Sequence, residues 1–327
     1  MFLCMTAVAL ACIHAAPKAE QKPGDPIKVN AAYMPGLSAL YVPGIDAKMG
    51  FFKEEGLDVN WVKFTAGPPE IAAMVSGDLQ FGYIGPGAHS LCAQDQAHVL
   101  TLATMSNTDQ IVVRKNSGIK SIKDLAGKKV VTQFGTSGDT ILTLALNREG
   151  MTKKQLNLVN MDMAGAVAAF IAGQCDAIAT WDTHTVNIKK NTDDDLIVLC
   201  RIGEFTDVIS SPGSWVATPD YLEKNRDVAV RFLRGMIKIN EYRKNNWEES
   251  IRLAAEFGKL DYSSINDTRD AAIYYTNEEL KEMITTGEIL ALYQKQLNYF
   301  LENKVVEKGD VNRYVRVDLM KEAFGIK

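Results

Sequence analysis

Four short stretches combine glycine, proline and small hydroxyl residues in a way that suits backbone recognition of a small ligand. They are Pro35-Gly36-Leu37-Ser38, Thr65-Ala66-Gly67-Pro68-Pro69, Gly85-Pro86-Gly87-Ala88 and Gly135-Thr136-Ser137-Gly138. Small side chains let main-chain atoms approach a ligand closely, and free N–H groups at a helix start favour an anion. A fifth stretch, Thr180-Trp181-Asp182, offers a flat apolar wall in Trp181 and, in Asp182, a carboxylate for an amine or hydroxyl. The competing reading is that Trp181 fills the core and Asp182 caps a helix. Each loop alone is what any strand-to-helix turn prefers; the signal is their recurrence at corresponding places. His184 is expected on the surface, and Trp215 in core or hinge packing.

None of these stretches is a nucleotide or hydrolase motif. The first has no G-x-G-x-x-G, Gly135–Asp139 lacks the lysine of a phosphate loop, and no G-x-S-x-G elbow occurs. The five cysteines (Cys4, Cys12, Cys92, Cys175, Cys200) contain no C-x-x-C pair, and the four histidines show no H-E-x-x-H spacing. No metal centre and no cofactor is expected. An enzyme would need a reactive cysteine or clustered histidines at a cleft, and Cys92 and Cys175 fall in expected element interiors.

The elements that must position these loops alternate between strand and helix patterns, the mark of an α/β architecture. A strand at 27–32, a helix at 39–48, a strand at 57–64, a helix at 70–76 and a strand at 79–84 form a first pass. A second pass begins with a strand at 129–134 and a helix at 140–148, stopped by Gly150 as Gly50 stops the first. Segments 72–84 and 168–180 share one plan: an apolar helix end, a glycine, a polar residue, then a short buried strand. Two lobes built alike are the simplest explanation. After a strand at 214–218, helical periodicity covers 220–243, 247–257 and 277–301. This tail is expected to return over the first lobe, which places crossings between lobes near 107–111 and 202–214.

The 327 residues suffice for two domains, and 36 Lys+Arg against 40 Asp+Glu give a net charge of -4, without the basic stripe of a nucleic-acid binder. A run of apolar residues from Phe2 to Ile13, then Ala15-Ala16 and a Pro/Gly/Lys-rich stretch to Pro26, resembles a secretory leader, although no Lys or Arg precedes it. Ala9-Leu10-Ala11-Cys12 loosely resembles a lipoprotein cleavage box, so lipid attachment through Cys12 is an open alternative.

Several motifs carry a family resemblance. Gly50-Phe51-Phe52-Lys53-Glu54-Glu55-Gly56-Leu57-Asp58-Val59, Ser76-Gly77-Asp78-Leu79-Gln80-Phe81-Gly82, Ile122-Lys123-Asp124-Leu125-Ala126-Gly127-Lys128-Lys129-Val130 and Ala179-Thr180-Trp181-Asp182 occur in that order. Together they resemble substrate-binding proteins of ABC importers of the sulfonate/taurine/nitrate type, over roughly residues 27–245.

The resemblance implies a type II periplasmic-binding fold that closes over a small solute and delivers it to a membrane permease. It implies residues 1–26 as leader and linker, 28–108 plus 208–327 as lobe 1, and 109–207 as lobe 2. It also implies a monomer outside the cytoplasmic membrane, with no nucleic-acid partner. Its pocket loops correspond to Gly36, Leu37, Gly67, Gly85, Pro86, Thr136, Ser137, Trp181 and Asp182, with Asn107 at the first crossing. Thr136 and Ser137 are expected to hold an anionic head, with Asp182 or Asp139 meeting a positive end, as in a taurine-like zwitterion. An alternative solute is an aromatic or pyrimidine precursor sandwiched by Trp181 and Tyr41; others are nitrate and bicarbonate. Rivals of another class are an enzyme on the same scaffold and the sensing domain of a regulator.

Overall fold

The chain lays down four strands, β1 (Ile27–Tyr33), β2 (Leu57–Lys63), β3 (Phe81–Ile84) and β4 (His98–Ser106), before it leaves the first sheet. It then builds a second sheet from β5 (Gln110–Arg114), β6 (Lys129–Thr132), β7 (Asn157–Asn160), β8 (Ala177–Thr180) and β9 (Leu196–Arg201). Finally it returns to the first sheet with β10 (Pro212–Ala217) and β11 (Ala272–Tyr274). The computed structural model describes residues 25–192 and 195–327. Of the leader and linker expected at residues 1–26, residues 1–24, Cys12 among them, lie outside the described residues.

The strand orders are β11-β4-β10-β3-β1-β2 and β7-β6-β8-β5-β9. Apart from the β11 edge, the two sheets share one plan. β1 pairs in parallel with β2 and β3, as β6 does with β7 and β8. β10 lies antiparallel between β3 and β4, as β5 does between β8 and β9. The strand that switches sheets is antiparallel in both cases, so the duplication read from segments 72–84 and 168–180 extends to topology.

Parallel strands need crossover helices, and each begins just past a strand end. Leu37–Met49 follows β1, Gly67–Val75 follows β2, Ser137–Arg148 follows β6 and Asp182–Lys190 follows β8. In the first of these Leu37 and all of residues 39–45 are buried, so the helix is enclosed on all sides, with Tyr41 bonded to Asn240 and Gly44 against the Leu253 backbone.

Two expected helices are each divided. The segment 220–243 forms Pro219–Lys224 and Arg226–Asn245, because Asn225 takes a non-helical conformation and its side-chain amide donates to the Tyr221 carbonyl at 3.0 Å. The segment 277–301 forms Asn277–Thr286 and Glu288–Glu302, separated by Gly287 at φ +83°, where a left-handed residue ends the first helix.

The tail does cover the first sheet. Phe232 of the long helix stacks between Phe52 (4.8 Å) and Phe81 (4.0 Å), with Trp215 edge-on at 5.8 Å. It also does something unexpected. Glu288–Glu302 reaches the second sheet's layer: Tyr299 Oη donates to the Thr140 carbonyl at 3.4 Å, and Asn147 Nδ2 to Asn303 Oδ1 at 2.6 Å. One apolar cluster therefore runs from Ile84 and Val99 through Tyr299 and Phe300 to Ile141 and Val130. Trp215 is fully buried in the first sheet's core.

Candidate functional site

The strand ends of both sheets face a common cavity whose empty space, open solvent at its mouth included, is about 790 Å3. β1 delivers Met34, Pro35, Gly36 and Ser38; β2 delivers Thr65 to Pro68; β3 delivers Gly85 to Ala88. From the second sheet come Thr136 and Ser137 after β6, and Trp181, Thr183 and His184 after β8. Ligand sites beyond the carboxyl ends of parallel strands follow from this geometry, because that is where helix starts meet.

Four helix N-termini converge here, capped by Gly36, Ala66, Thr136 and Trp181, and none of these residues covers its first-turn N–H groups with a side chain. Each end carries the equivalent of about half a positive charge. The Gly67 helix supplies fewer donors, since Pro68 and Pro69 have no N–H. No lysine or arginine is among the described lining residues. Positive potential in the cavity thus comes from backbone alone.

Loops of the two sheets touch around the cavity. A Cβ on Gly36 would stand 2.9 Å from Thr183 Oγ1, and one on Gly87 would stand 2.2 Å from the Thr136 carbonyl carbon. The Pro86 carbonyl is fixed from behind by Gln296 Nε2 (3.0 Å) and His89 Nδ1 (3.2 Å). A carbonyl only accepts, so Nδ1 carries the proton. Nε2 of the neutral ring then accepts from Ser214 Oγ (2.8 Å), which accepts from Tyr293 Oη (2.6 Å).

Burial holds the pKa of His89 down at about 4, so the neutral ring this relay requires is the stable one. The stability consequence has a definite sign. Between about pH 6.5 and 4 the unfolded chain protonates this histidine and the folded chain does not, so stability falls as pH drops through that window and levels off below it. Urea unfolding across the window should lose about 3 kcal/mol to this group. A His89→Gln variant should show a correspondingly flatter profile; an unchanged slope would contradict the assignment.

Of the residues singled out from sequence, Gly36, Gly67, Gly85, Pro86, Thr136, Ser137 and Trp181 line the cavity. Leu37 and Tyr41 do not. Both are fully buried, and Tyr41 Oη donates to Asn240 Oδ1 at 3.2 Å while its ring faces Arg243, both on the long helix. The expected Trp181–Tyr41 sandwich is therefore corrected: Tyr41 packs against the long helix. Asn107 is exposed at the crossing, and its N–H donates to the Ala271 carbonyl. Asp182 opens its helix, but its side chain lies outside the described residues. Asp139 is paired with Lys153. The Thr136 hydroxyl donates to the Gln133 carbonyl (2.6 Å) and Ser137 Oγ to Asp109 Oδ1 (2.7 Å), so neither hydroxyl hydrogen is directed at a ligand. The donors this loop has left to offer are main-chain.

Sequence reasoning missed Asp109, Tyr83, Thr104 and Ser106, which also line the cavity, and placed His184 on the surface. His184 is three residues past Trp181, hence on the same helical face, and its ring meets the indole edge-on at 4.8 Å. Burial pushes its pKa down to about 4, so it adds no cation at neutral pH. The signal for Asp109 was its position in the crossing already marked at 107–111.

Buried thiols are poor nucleophiles: burial raises Cys175 and Cys200 to about 11 and Cys92 further. Among the described residues no group of three or more His, Cys, Asp or Glu is placed to hold a metal ion, and no helix is long and apolar enough to cross a membrane.

Comparison with known proteins assigns the family. The model of the family described as NMT1/THI5 like matches residues 42–250, well over half of the chain. The chain belongs to the NMT1/THI5-like family. Among relatives of this NMT1/THI5-like chain, a protein of Brucella abortus (strain 2308) named as a binding protein is 29% identical over 265 residues, covering 81% of this chain and 82% of the relative. An Escherichia coli (strain K12) protein named as aliphatic sulfonates-binding is 28% identical over 261 residues, 76% of each chain. The crystal structure of the periplasmic aliphatic sulphonate binding protein from Escherichia coli superposes with a TM-score of 0.64 at 24% identity, covering 89% of this chain and 92% of that one. The fold of this NMT1/THI5-like chain is thus the two-lobed α/β fold of periplasmic binding proteins.

Proposed function

We propose that this chain is the extracytoplasmic solute-binding component of an ABC importer, which closes two lobes over a small organic solute bearing an anionic group and hands it to a membrane permease. The lobes would be residues 28–108 plus 208–327, and 109–207, working as a monomer in the periplasm or on the outer face of the cytoplasmic membrane. The observation that carries this reading is the convergence of four helix starts from two sheets on one cavity with no lysine or arginine among its described lining residues. Neutral main-chain donors suit a dispersed monoanion such as a sulfonate better than a phosphate, which usually recruits Arg or Lys. The names of the relatives point the same way. A second reading, a flat heteroaromatic solute, is favoured by the Trp181 face on the cavity wall, although Tyr41 does not close the other side.

A thermal-shift screen against sulfonates, amino acids, nitrate, bicarbonate and pyrimidines tests this. A true solute at 100 times its Kd stabilises the fold by about 2.7 kcal/mol and raises Tm accordingly. Recovery of the solute unchanged after incubation supports a receptor; its consumption, or no shift with any class, overturns the proposal.

A further inference from the structure

At one corner of the cavity two serine hydroxyls are set to accept hydrogen bonds and not to give them. Ser106 Oγ donates to Asp109 Oδ2 at 2.8 Å, and Ser137 Oγ donates to Asp109 Oδ1 at 2.7 Å. A carboxylate has no hydrogen to offer. With both hydroxyl hydrogens committed to it, the two serine oxygens present only lone pairs to anything else. Asp109 is 2% exposed and lines the cavity with both serines. It is the only Asp or Glu among the described lining residues, and none of those is Lys or Arg. His184 is neutral at physiological pH.

We propose that Asp109 sets the specificity of the receptor: it selects solutes that bring an N–H or O–H donor, best an ammonium group, to this corner, and it rejects matched solutes whose end there is anionic or lacks a donor. This rests on the receptor reading above and adds a second end to the solute, with the anionic group at the helix starts and the donor at Asp109. A donor-less end would meet acceptor oxygens and gain no hydrogen bond from them; a second anion would also be repelled by the carboxylate. Sites built around buried hydrogen-bonding groups discriminate in this way against analogues that lack the partner group. Asp109 also stands between β4 and β5, bonded to the end of the first sheet's strand and to the first residue of the second sheet's helix. The residue that reads the solute is one that joins the lobes.

Calorimetric titration of the intact chain with pairs differing only in the donor tests this: 2-aminoethanesulfonate against ethanesulfonate, 3-aminopropionate against propionate, and 4-aminopyrimidine against pyrimidine. In any pair that binds, the donor-bearing member should bind at least about tenfold tighter, as expected for a hydrogen bond to a charged group. Asp109→Asn should abolish or reverse that preference. Because that variant replaces the acceptor of one serine with a donor and can misfold, the wild-type ratio is read independently, together with 2-(trimethylammonio)ethanesulfonate, which keeps the charge but has no N–H and should bind worse than the primary amine. Equal affinity within the binding pairs, or a preference that survives Asp109→Asn in a folded variant, overturns the role of Asp109 and leaves the receptor reading standing. If no member of any pair binds, this inference is overturned; the receptor reading fails only if the thermal-shift screen also yields no solute.

Discussion

Gly87→Ala should abolish tight solute binding while leaving the empty protein folded. Gly87 sits in the turn Pro86–Ala88, and a Cβ there would lie 2.2 Å from the Thr136 carbonyl carbon, 2.4 Å from its oxygen and 2.6 Å from Ser137 N. These are backbone atoms, so no side-chain rotation relieves the clash. The two loops must separate, and with them Ser137 withdraws from Asp109 and the helix starts no longer converge. Overpacking in a tight core costs about 1–3 kcal/mol, and a clash against backbone belongs at the upper end. Binding that depends on closure should weaken about 100-fold, read by calorimetry. Small-angle scattering with excess solute should give the variant a larger radius of gyration than the wild type. Unfolding of the empty variant should show only the cost of parting the two loops, about 1–3 kcal/mol. Wild-type affinity in this variant would mean that the lobes do not meet at Gly87 when solute is held.

The second large effect is on stability. Phe232→Ala should destabilise the fold by about 3–5 kcal/mol. Phe232 is fully buried, and its ring is stacked on both faces, by Phe52 and by Phe81, with Trp215 against its edge. Removing it leaves a cavity bounded by aromatic rings on two strands and a short helix, which are held too rigidly to collapse into the space. Chemical denaturation should show the loss as a lower midpoint with an unchanged slope, and Phe232→Leu should lose less. A change under 1 kcal/mol would show that the aromatic stack contributes little. Solute affinity at low denaturant should be retained, because the stack lies behind the sheet and away from the cavity.

Much of the fold was readable because its signals are local. Glycines after apolar helix ends, short buried runs after them, and the repetition of that unit at 72–84 and 168–180 depend only on neighbours in sequence. The two helix breaks were missed because a buried stripe continues across Asn225 and Gly287; periodicity registers the stripe and not the backbone rotation that interrupts it. The loops of the site were legible for the same reason that they are loops. Which side chains inside them face a ligand is a different matter. Leu37 and Tyr41 go into the core with the rest of their enclosed helix, and that burial outweighs their nearness to Gly36. Asp109 gains its meaning only when Ser106 and Ser137, from different sheets, arrive on either side of it, and such a meeting has no trace in local sequence.

The Glu288–Glu302 helix changes what opening must entail. Two strand connections alone would let the halves swing apart almost freely. Here Tyr299 and Asn303 also hold the second layer from behind, within a continuous apolar seam. Gaping wide would tear that seam, so the resting population is tilted toward shut and the entrance is a rare, brief event. Solute capture should then be gated: the observed association rate would reach a plateau at high solute concentration, set by how often the entrance opens and not by encounter. Escape would be slow for the same reason, and a permease would have to pry the molecule apart to empty it.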